Sequence, residues 1–188
     1  MSLHVEESAV IVGSIDSVWE LIRPLDFKFL PNVESVESSG ASDKKEADNA
    51  VGGLRIVQYK DNIKQTYKVL ELSDIHHTIT YDLIESSPSV SFSSAVYTIS
   101  LKRITESNST FICWTTDFSN DAGQAEVQDS KFKKLEAFKY EIKNIISNCR
   151  WEELIKKYFV LLFPIISSIK NIDRKARVGI SSTYRVQY

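Results

Sequence analysis

The chain has little of several residue types that define specialised classes of protein. Its 188 residues include two cysteines, six glycines, four prolines and one methionine. Cys113 and Cys149 form no CxxC pair, so neither a disulfide framework nor a zinc module is indicated. The longest apolar run, residues 158–166, is far shorter than the roughly 20 residues that cross a bilayer. The composition is therefore typical of an ordinary globular domain that needs no disulfide, metal or membrane.

The chain also lacks an apolar leader at its first residues. The segment MSLHVEE is already polar, and with few cysteines it indicates a reduced, cytoplasmic setting. Residues 1–149 carry 15 Lys/Arg against 22 Asp/Glu, whereas residues 150–188 carry 8 against 3. Because residues 1–149 are acidic, we do not expect nucleic acid as a partner. The basic residues 150–188 differ from them in charge, which indicates a separate segment.

Sequence signatures of known chemistry are missing as well. There is no GxSxG, no HExxH and no glycine loop that would cradle a phosphate. His76 and His77 are adjacent at a predicted strand start, so they point to opposite faces and cannot both bind one metal. Cys113 has no identifiable base beside it and is read as a small buried thiol. We therefore expect no metal, no cofactor and no catalytic residue, with His77 as an alternative general base if the protein is an enzyme.

What the chain does have is a long series of alternating segments. A first strand at residues 5–12 precedes a helix capped by Ser14 or Asp16, and a second short helix is predicted at residues 25–30, between two prolines. Further strands follow, and two of them form a hairpin around residues 60–62. Such alternation predicts an antiparallel sheet with one buried face.

After residue 123 the apolar period becomes helical. An apolar stripe then indicates a long helix, and it consists of Leu135, Phe138, Ile142, Ile145 and Cys149, with Phe132 and Ile146 beside it. The order of elements, and the segments DSVWELI, FLPNV, VGGLR, VLELSD, ITY and ICWTTDF, resemble the START-like (SRPBCC, birch-pollen-allergen-like) helix-grip superfamily. The polyketide cyclase/dehydrase and lipid-transport branch is the most similar part of it. The resemblance covers about residues 5–147.

The resemblance implies an α+β fold with a seven-stranded curved antiparallel sheet around a long C-terminal helix. Two short helices would follow the first strand, and a cavity would lie between sheet and helix. It implies non-covalent binding of a hydrophobic small molecule, such as a lipid or polyketide, by a carrier or sensor. A cyclase/dehydrase-type enzyme and a structural module with a filled core remain alternatives.

The predicted ligand-binding residues come from the concave face of the sheet and from one face of the helix. They are Ile56, Gln58, Tyr67, Val69, Ile79, Tyr81, Tyr97, Ile99, Phe111, Cys113 and Thr115 on the sheet, and Phe132, Leu135, Glu136 and Lys139 on the helix. Burial of ligand carbon would supply the affinity, and tyrosine hydroxyls would orient the ligand.

Two positions depart from the plant hormone receptors of the superfamily. The polar hairpin at residues 60–62 stands where those receptors carry an apolar gate. Cys113 stands where they carry a pocket glutamate, so a charged anchor is not expected at that point.

We expect residues 1–149 to form the helix-grip domain and residues 150–188 to form a basic, partly apolar extension with helical character. Three roles remain open for this extension. It could pack back on the domain, mediate a homo-oligomer contact, or lie on an anionic membrane surface through residues 151–177.

Overall fold

Seven antiparallel strands form one sheet in the part of the chain that the structure describes. The computed structural model describes residues 3–39 and 50–142. The strands are β1 (Leu3–Ile11), β2 (Val33–Ser39), β3 (Leu54–Tyr59), β4 (Lys64–Ser73), β5 (Thr78–Ser87), β6 (Ala95–Ile104) and β7 (Ser109–Phe118). Their spatial order is β1-β7-β6-β5-β4-β3-β2, so β1 and β2 are the two edges. Successive strands from β2 to β7 pair as a meander, and β1 closes onto β7.

The first helix, α1 (Ile15–Ile22), joins the two edge strands. Ser14 caps it, because its hydroxyl accepts a hydrogen bond from the Ser17 N–H at 3.2 Å. Apolar side chains at Ile15, Val18, Trp19 and Ile22 are buried, as the amphipathic pattern predicted.

The second short helix predicted from the sequence is absent. Residues 25–30 form turns in which Leu25 and Phe27 have positive φ angles of 49° and 51°, outside the helical region. Asp26 accepts a hydrogen bond from the Lys28 N–H at 3.3 Å, which favours a turn over a helix. The reason is packing, because this conformation buries Leu25, Phe27 and Phe29 almost completely.

The β3–β4 hairpin agrees with the sequence prediction. Asn62 adopts a positive φ of 64°, which asparagine tolerates, and the Tyr59 N–H donates to the Ile63 carbonyl at 2.8 Å. At the start of β3, Gly52 has a φ of 86° and donates its N–H to the Val69 carbonyl at 2.7 Å. A residue with a side chain would be strained at that glycine.

The last described element is the helix α2 (Gln124–Glu136), which continues as a π-helical turn, Ala137–Glu141. In a regular α-helix, side chains four residues apart are displaced slightly around the helix axis, so a series of them drifts away from one face. A π turn holds more residues per turn and displaces them in the opposite direction. Consequently Ser130, Lys134, Phe138 and Ile142 are all buried, although each is four residues from the next. The predicted stripe is correct at Phe138 and Ile142, but Phe132 is 67% exposed and Leu135 is only half-buried.

The core lies between the inner face of the sheet, α1, the turns of residues 25–30 and the end of α2. The remainder of the predicted stripe, the boundary at residue 149 and the basic extension lie outside the described residues.

Candidate ligand-binding pocket

A pocket of about 210 Å³ lies between the inner face of the sheet, the turns after α1, and α2. Its walls are largely aromatic and aliphatic, with a smaller set of polar side chains on the helix side. The lining residues are Phe27, Leu30, Tyr59, Ile63, Gln65, Tyr67, Tyr81, Val90, Phe92, Tyr97, Trp114, Phe118, Glu126, Asp129, Ser130, Lys133 and Lys134.

The sheet wall of the pocket is a cluster of aromatic rings. Tyr81 and Tyr97 are cross-strand partners on β5 and β6, and their rings stack at 5.0 Å with an angle of 8°. Tyr67 on β4 packs edge-on to both rings, at 5.6 and 5.9 Å, and Phe27 packs against Tyr67 and Tyr81. Ring pairs in these geometries favour each other beyond their buried area, so the wall has a fixed shape.

The tyrosine hydroxyls fall into two groups. Tyr67 donates to the Gln65 side-chain oxygen at 2.6 Å, and its hydroxyl lies 3.1 Å from that of Tyr59. The hydroxyls of Tyr81 and Tyr97 form no hydrogen bond within the described residues. Burial raises the pKa of Tyr59 to about 12 and the pKa values of Tyr67, Tyr81 and Tyr97 well above the usual range, so all four are neutral phenols at physiological pH.

A buried lysine forms the helix side of the pocket. Lys134 is 1% exposed, and its ammonium donates to the hydroxyls of Thr116 and Ser130, each at 2.6 Å. The same nitrogen lies 5.6 Å from the centre of the Trp114 ring and 5.9 Å from that of Tyr97. Burial lowers the pKa of Lys134 to about 8, because desolvation disfavours the charged form.

No carboxylate forms an ion pair with Lys134 among the described residues. The two carboxylates that act on it through space are those of Glu7 and Asp129, which favour its charged form. Glu7 pairs with Lys131 at 3.3 Å, and Asp129 pairs with Lys133 at 2.7 Å. Lys134 is therefore a buried cation whose charge is balanced only at a distance.

Trp114 supplies a second donor to this part of the pocket. Its ring is 4% exposed, and its indole N–H has no hydrogen-bond acceptor among the described residues. Burial raises the pKa of Tyr81, and the nearby indole N–H opposes that rise. The two groups do not meet the geometry of a hydrogen bond. Buried N–H groups without an acceptor are uncommon and costly, so this one is an observation that needs an explanation.

Six of the predicted site residues lie on the face that the sequence indicated. Tyr67, Tyr81 and Tyr97 line the pocket. Val69, Ile79 and Ile99 are buried in the core beneath the same face and are not among the lining residues.

The predicted face was wrong for β3 and β7. Ile56, Gln58, Phe111, Cys113 and Thr115 alternate with the buried residues and lie on the outer face of the sheet. The inner face carries Val57 and Tyr59 on β3, and Ile112, Trp114, Thr116 and Phe118 on β7. Both sides of these strands carry apolar residues, so alternation alone did not determine which side turns inward.

The predicted helix residues also lie outside the pocket. Phe132, Glu136 and Lys139 are exposed, and Leu135 is half-buried away from the lining residues. Sequence reasoning missed Lys134 because a lysine between Phe132 and Leu135 is normally assigned to solvent. Its four-residue spacing from Phe138 was the one available signal.

Two further residues are placed away from the pocket. His77 lies in the β4–β5 turn with its ring 5.5 Å from that of Trp19, edge to face. Cys113 lies on the outer face of β7, where burial and the nearby Glu6 carboxylate raise the pKa of its thiol.

The sheet order, the helix after β1 and the closing helix define the helix-grip fold of the START-like, Bet v 1-like proteins. The solved structure of Ara h 8.0201 is 16% identical, with a TM-score of 0.63 over 79% of this chain and 99% of that chain. A protein from Nitrosospira multiformis is 21% identical, with a TM-score of 0.65 over 79% and 99%. XoxI from Bacillus cereus is 20% identical, with a TM-score of 0.61 over 78% and 97%.

At these identities the similarity establishes the fold alone. No protein-family model matches the chain, and no curated protein matches it. Within residues 3–39 and 50–142, no helix is long and apolar enough to cross a membrane.

Proposed function

We propose that this protein binds a small hydrophobic molecule non-covalently, as a carrier or sensor. The observation that carries the proposal is the aromatic pocket of about 210 Å³ between the sheet and α2. Concave, mostly apolar sites with a few polar groups are the usual form of small-molecule sites. The fold supports the same conclusion by analogy only, because one fold serves many functions.

The pocket volume favours a small ligand. It is below the roughly 300 Å³ at which drug-sized sites begin, but above the roughly 150 Å³ of an engineered cavity that binds benzene. A molecule with one aromatic ring fits this range, whereas a two-chain lipid would leave most of its surface outside. The lipid and polyketide ligands expected from the resemblance are therefore less favoured than a single-ring compound.

Apolar burial alone would give modest affinity. A ring that buries about 200 Å² gains roughly 5 kcal/mol gross at 25 cal/mol per Å². Micromolar binding needs about 8 kcal/mol after the cost of association is met. Polar contacts are therefore needed for useful affinity, and the pocket offers them at Tyr81, Tyr97, Trp114 and Lys134.

The alternatives have less support. A cyclase/dehydrase-type enzyme would lose its proposed base, because His77 packs against Trp19 in a turn and is not a lining residue. A structural module with a filled core would leave the open volume between the aromatic wall and α2 without a purpose. Binding without chemistry accounts for the pocket with the fewest assumptions.

Two measurements test the proposal. Native mass spectrometry of the protein from its own source would detect a co-purifying ligand, and an NMR titration with methyl benzoate would detect binding of a neutral single ring. Ile63 lines the pocket, so Ile63→Trp would narrow it, while Leu70→Trp places the same side chain at an exposed position outside it. We expect Ile63→Trp to weaken binding at least tenfold and Leu70→Trp to leave it unchanged. If only the ligand-free protein is detected and methyl benzoate causes no shifts, the proposal is wrong.

A further inference from the structure

We infer that the ligand of this pocket is a small aromatic carboxylic acid, whose carboxylate pairs with the Lys134 ammonium while its ring lies against Tyr81 and Tyr97. This inference rests on the proposed function and specifies its ligand class. Three observations carry it: a buried ammonium with no ion-pair partner among the described residues, a buried donor without an acceptor there, and an adjoining pair of stacked aromatic rings.

The first observation concerns charge. A buried ammonium is costly unless it is paired. Among the described residues, Lys134 at 1% exposure has the neutral hydroxyls of Thr116 and Ser130 as its hydrogen-bond acceptors and no ion-pair partner. The neighbouring carboxylates of Glu7 and Asp129 already pair with other lysines. An anionic ligand supplies the missing counter-charge inside the pocket, which a neutral or cationic ligand does not.

The second observation concerns the Trp114 indole. Its N–H has no acceptor among the described residues, and its ring centre is 5.6 Å from the Lys134 nitrogen. A carboxylate carries two acceptor oxygens, so it is able to satisfy two donors in one region. An alcohol or amide ligand offers one acceptor oxygen and no charge, and it matches this pair of donors less well.

The third observation concerns shape. Tyr97 stacks on Tyr81 with an angle of 8°, and its ring centre is 5.9 Å from the Lys134 nitrogen. A carboxylate bound at the lysine therefore places an attached ring close to Tyr97, the member of the stacked pair that the lysine faces. The pocket volume of about 210 Å³ limits the rest of the molecule to roughly one ring.

Carboxylates at the pocket mouth do not oppose this arrangement strongly. Glu126 and Asp129 are among the lining residues. Glu126 accepts a hydrogen bond from the Ser91 hydroxyl, and Asp129 is neutralised by Lys133. Glu126 and Asp129 are both more exposed than Lys134, so Lys134 is the charged group at the buried end of the pocket.

The test compares benzoate with methyl benzoate at pH 7 by isothermal titration calorimetry, on wild type and on three variants. Lys134→Met removes the charge at similar length, and Lys134→Arg keeps it. Lys139→Met removes one charge from the same helical segment at an exposed residue that does not line the pocket. We expect wild type to bind benzoate at least tenfold more tightly than the ester. We expect Lys134→Met to reduce that preference to within about twofold, while Lys134→Arg retains part of it and Lys139→Met all of it.

The outcomes separate the two proposals. If wild type binds the ester as tightly as benzoate, the ligand class is wrong and the proposed function stands. If Lys134→Met keeps the full preference for benzoate, the anchor is wrong. If neither compound binds to wild type, the ligand class is wrong, and the proposed function is wrong as well if native mass spectrometry detects only the ligand-free protein. The wild-type comparison gives its answer even if a Lys134 variant fails to fold.

Discussion

The Lys134 ammonium on α2 lies 5.6 Å from the centre of the Trp114 ring on β7, and both residues are at most 4% exposed. This pair brings a positive charge and an unsatisfied indole N–H to the interface between helix and sheet. A cation over an aromatic face is favourable, but the gain is smaller than the cost of burying an unpaired charge. Groups that cost stability in this way concentrate at functional sites.

The first prediction is that Lys134→Met stabilises the ligand-free protein. The lowering of the Lys134 pKa from 10.5 to about 8 means that the charged side chain is roughly 3 kcal/mol less favourable in the folded protein than in the unfolded chain. Loss of two hydrogen bonds offsets about half of this. We expect a net gain of about 1–2 kcal/mol in the free energy of unfolding at pH 7, measured by urea denaturation. Lys139→Met, at an exposed position on the same helical segment, is the matched control and should change stability by less than about 0.5 kcal/mol.

The sign of the pH dependence follows from the same pKa. Between pH 8 and 10.5 the unfolded chain keeps the Lys134 proton and the folded chain releases it, so wild-type stability rises with pH in this window. The advantage of Lys134→Met should therefore shrink between pH 7 and 9.5. An advantage that stays constant over that range would contradict the burial of a charged lysine.

The second prediction concerns benzoate affinity as a function of pH. The carboxylate binds the charged form of Lys134, whose pKa in the free protein is about 8. Affinity should be constant from about pH 6 to 7.5 and then fall, approaching tenfold per pH unit above 8. Methyl benzoate serves as the control ligand and should show no such fall. Calorimetry at pH 6.5, 7.5, 8.5 and 9.5 checks this, and equal benzoate affinities at the two extremes would refute it.

The fold was predictable from the sequence, and the site was predictable only in part. Alternation identified the strands, and the turn at Asn62 fixed the β3–β4 hairpin, because both signals are local. Alternation does not say which face turns inward, so Ile56 on β3 and Cys113 on β7 were placed on the inner face, although both lie on the outer one. In β5 the inner residues Ile79 and Tyr81 alternate with polar residues, and there the assignment was correct.

Lys134 shows a different limit of sequence reasoning. Its ammonium is held by hydroxyl partners from β7 and α2, and the β7 partner is distant in sequence. Hydropathy predicts that a lysine side chain is exposed to solvent. No sequence pattern in this segment predicts a π-helical turn. A residue that breaks a local rule in this way is a strong marker of function when the structure supplies no compensating charge.

The third prediction concerns the attachment of α1 to the β4–β5 turn. Asp74 accepts hydrogen bonds from Arg23, at 2.7 and 3.1 Å, and from the Trp19 indole at 2.9 Å. These bonds, that of Arg23 first, lower the pKa of Asp74 to about 2. Because Asp74 is largely exposed, we expect Asp74→Ala to cost only about 1 kcal/mol.

The matched control for Asp74 is Asp16→Ala. Asp16 pairs with Arg103 at 3.4 Å, both side chains are exposed, and its loss should cost less than about 0.5 kcal/mol. The Asp74 contribution is present above its ordinary pKa of 3.8 and is lost as the pH falls towards 2. Urea denaturation at pH 6 and pH 3 measures both effects. Equal costs for the two variants at pH 6 would show that the Trp19 and Arg23 contacts add nothing.

The fourth prediction separates the two groups of pocket tyrosines. Tyr67→Phe removes the donor to Gln65 and the neighbour of the Tyr59 hydroxyl, leaving buried polar atoms without partners. We expect this change to cost about 1–2 kcal/mol of stability. Tyr81→Phe removes a hydroxyl that forms no hydrogen bond within the described residues, so it should cost less than about 0.5 kcal/mol. Urea denaturation of the two variants is a direct comparison because both rings belong to the same cluster. A larger cost for Tyr81→Phe would mean that the Tyr81 hydroxyl has a hydrogen-bond partner in the folded protein. It would then not be free to contact a ligand.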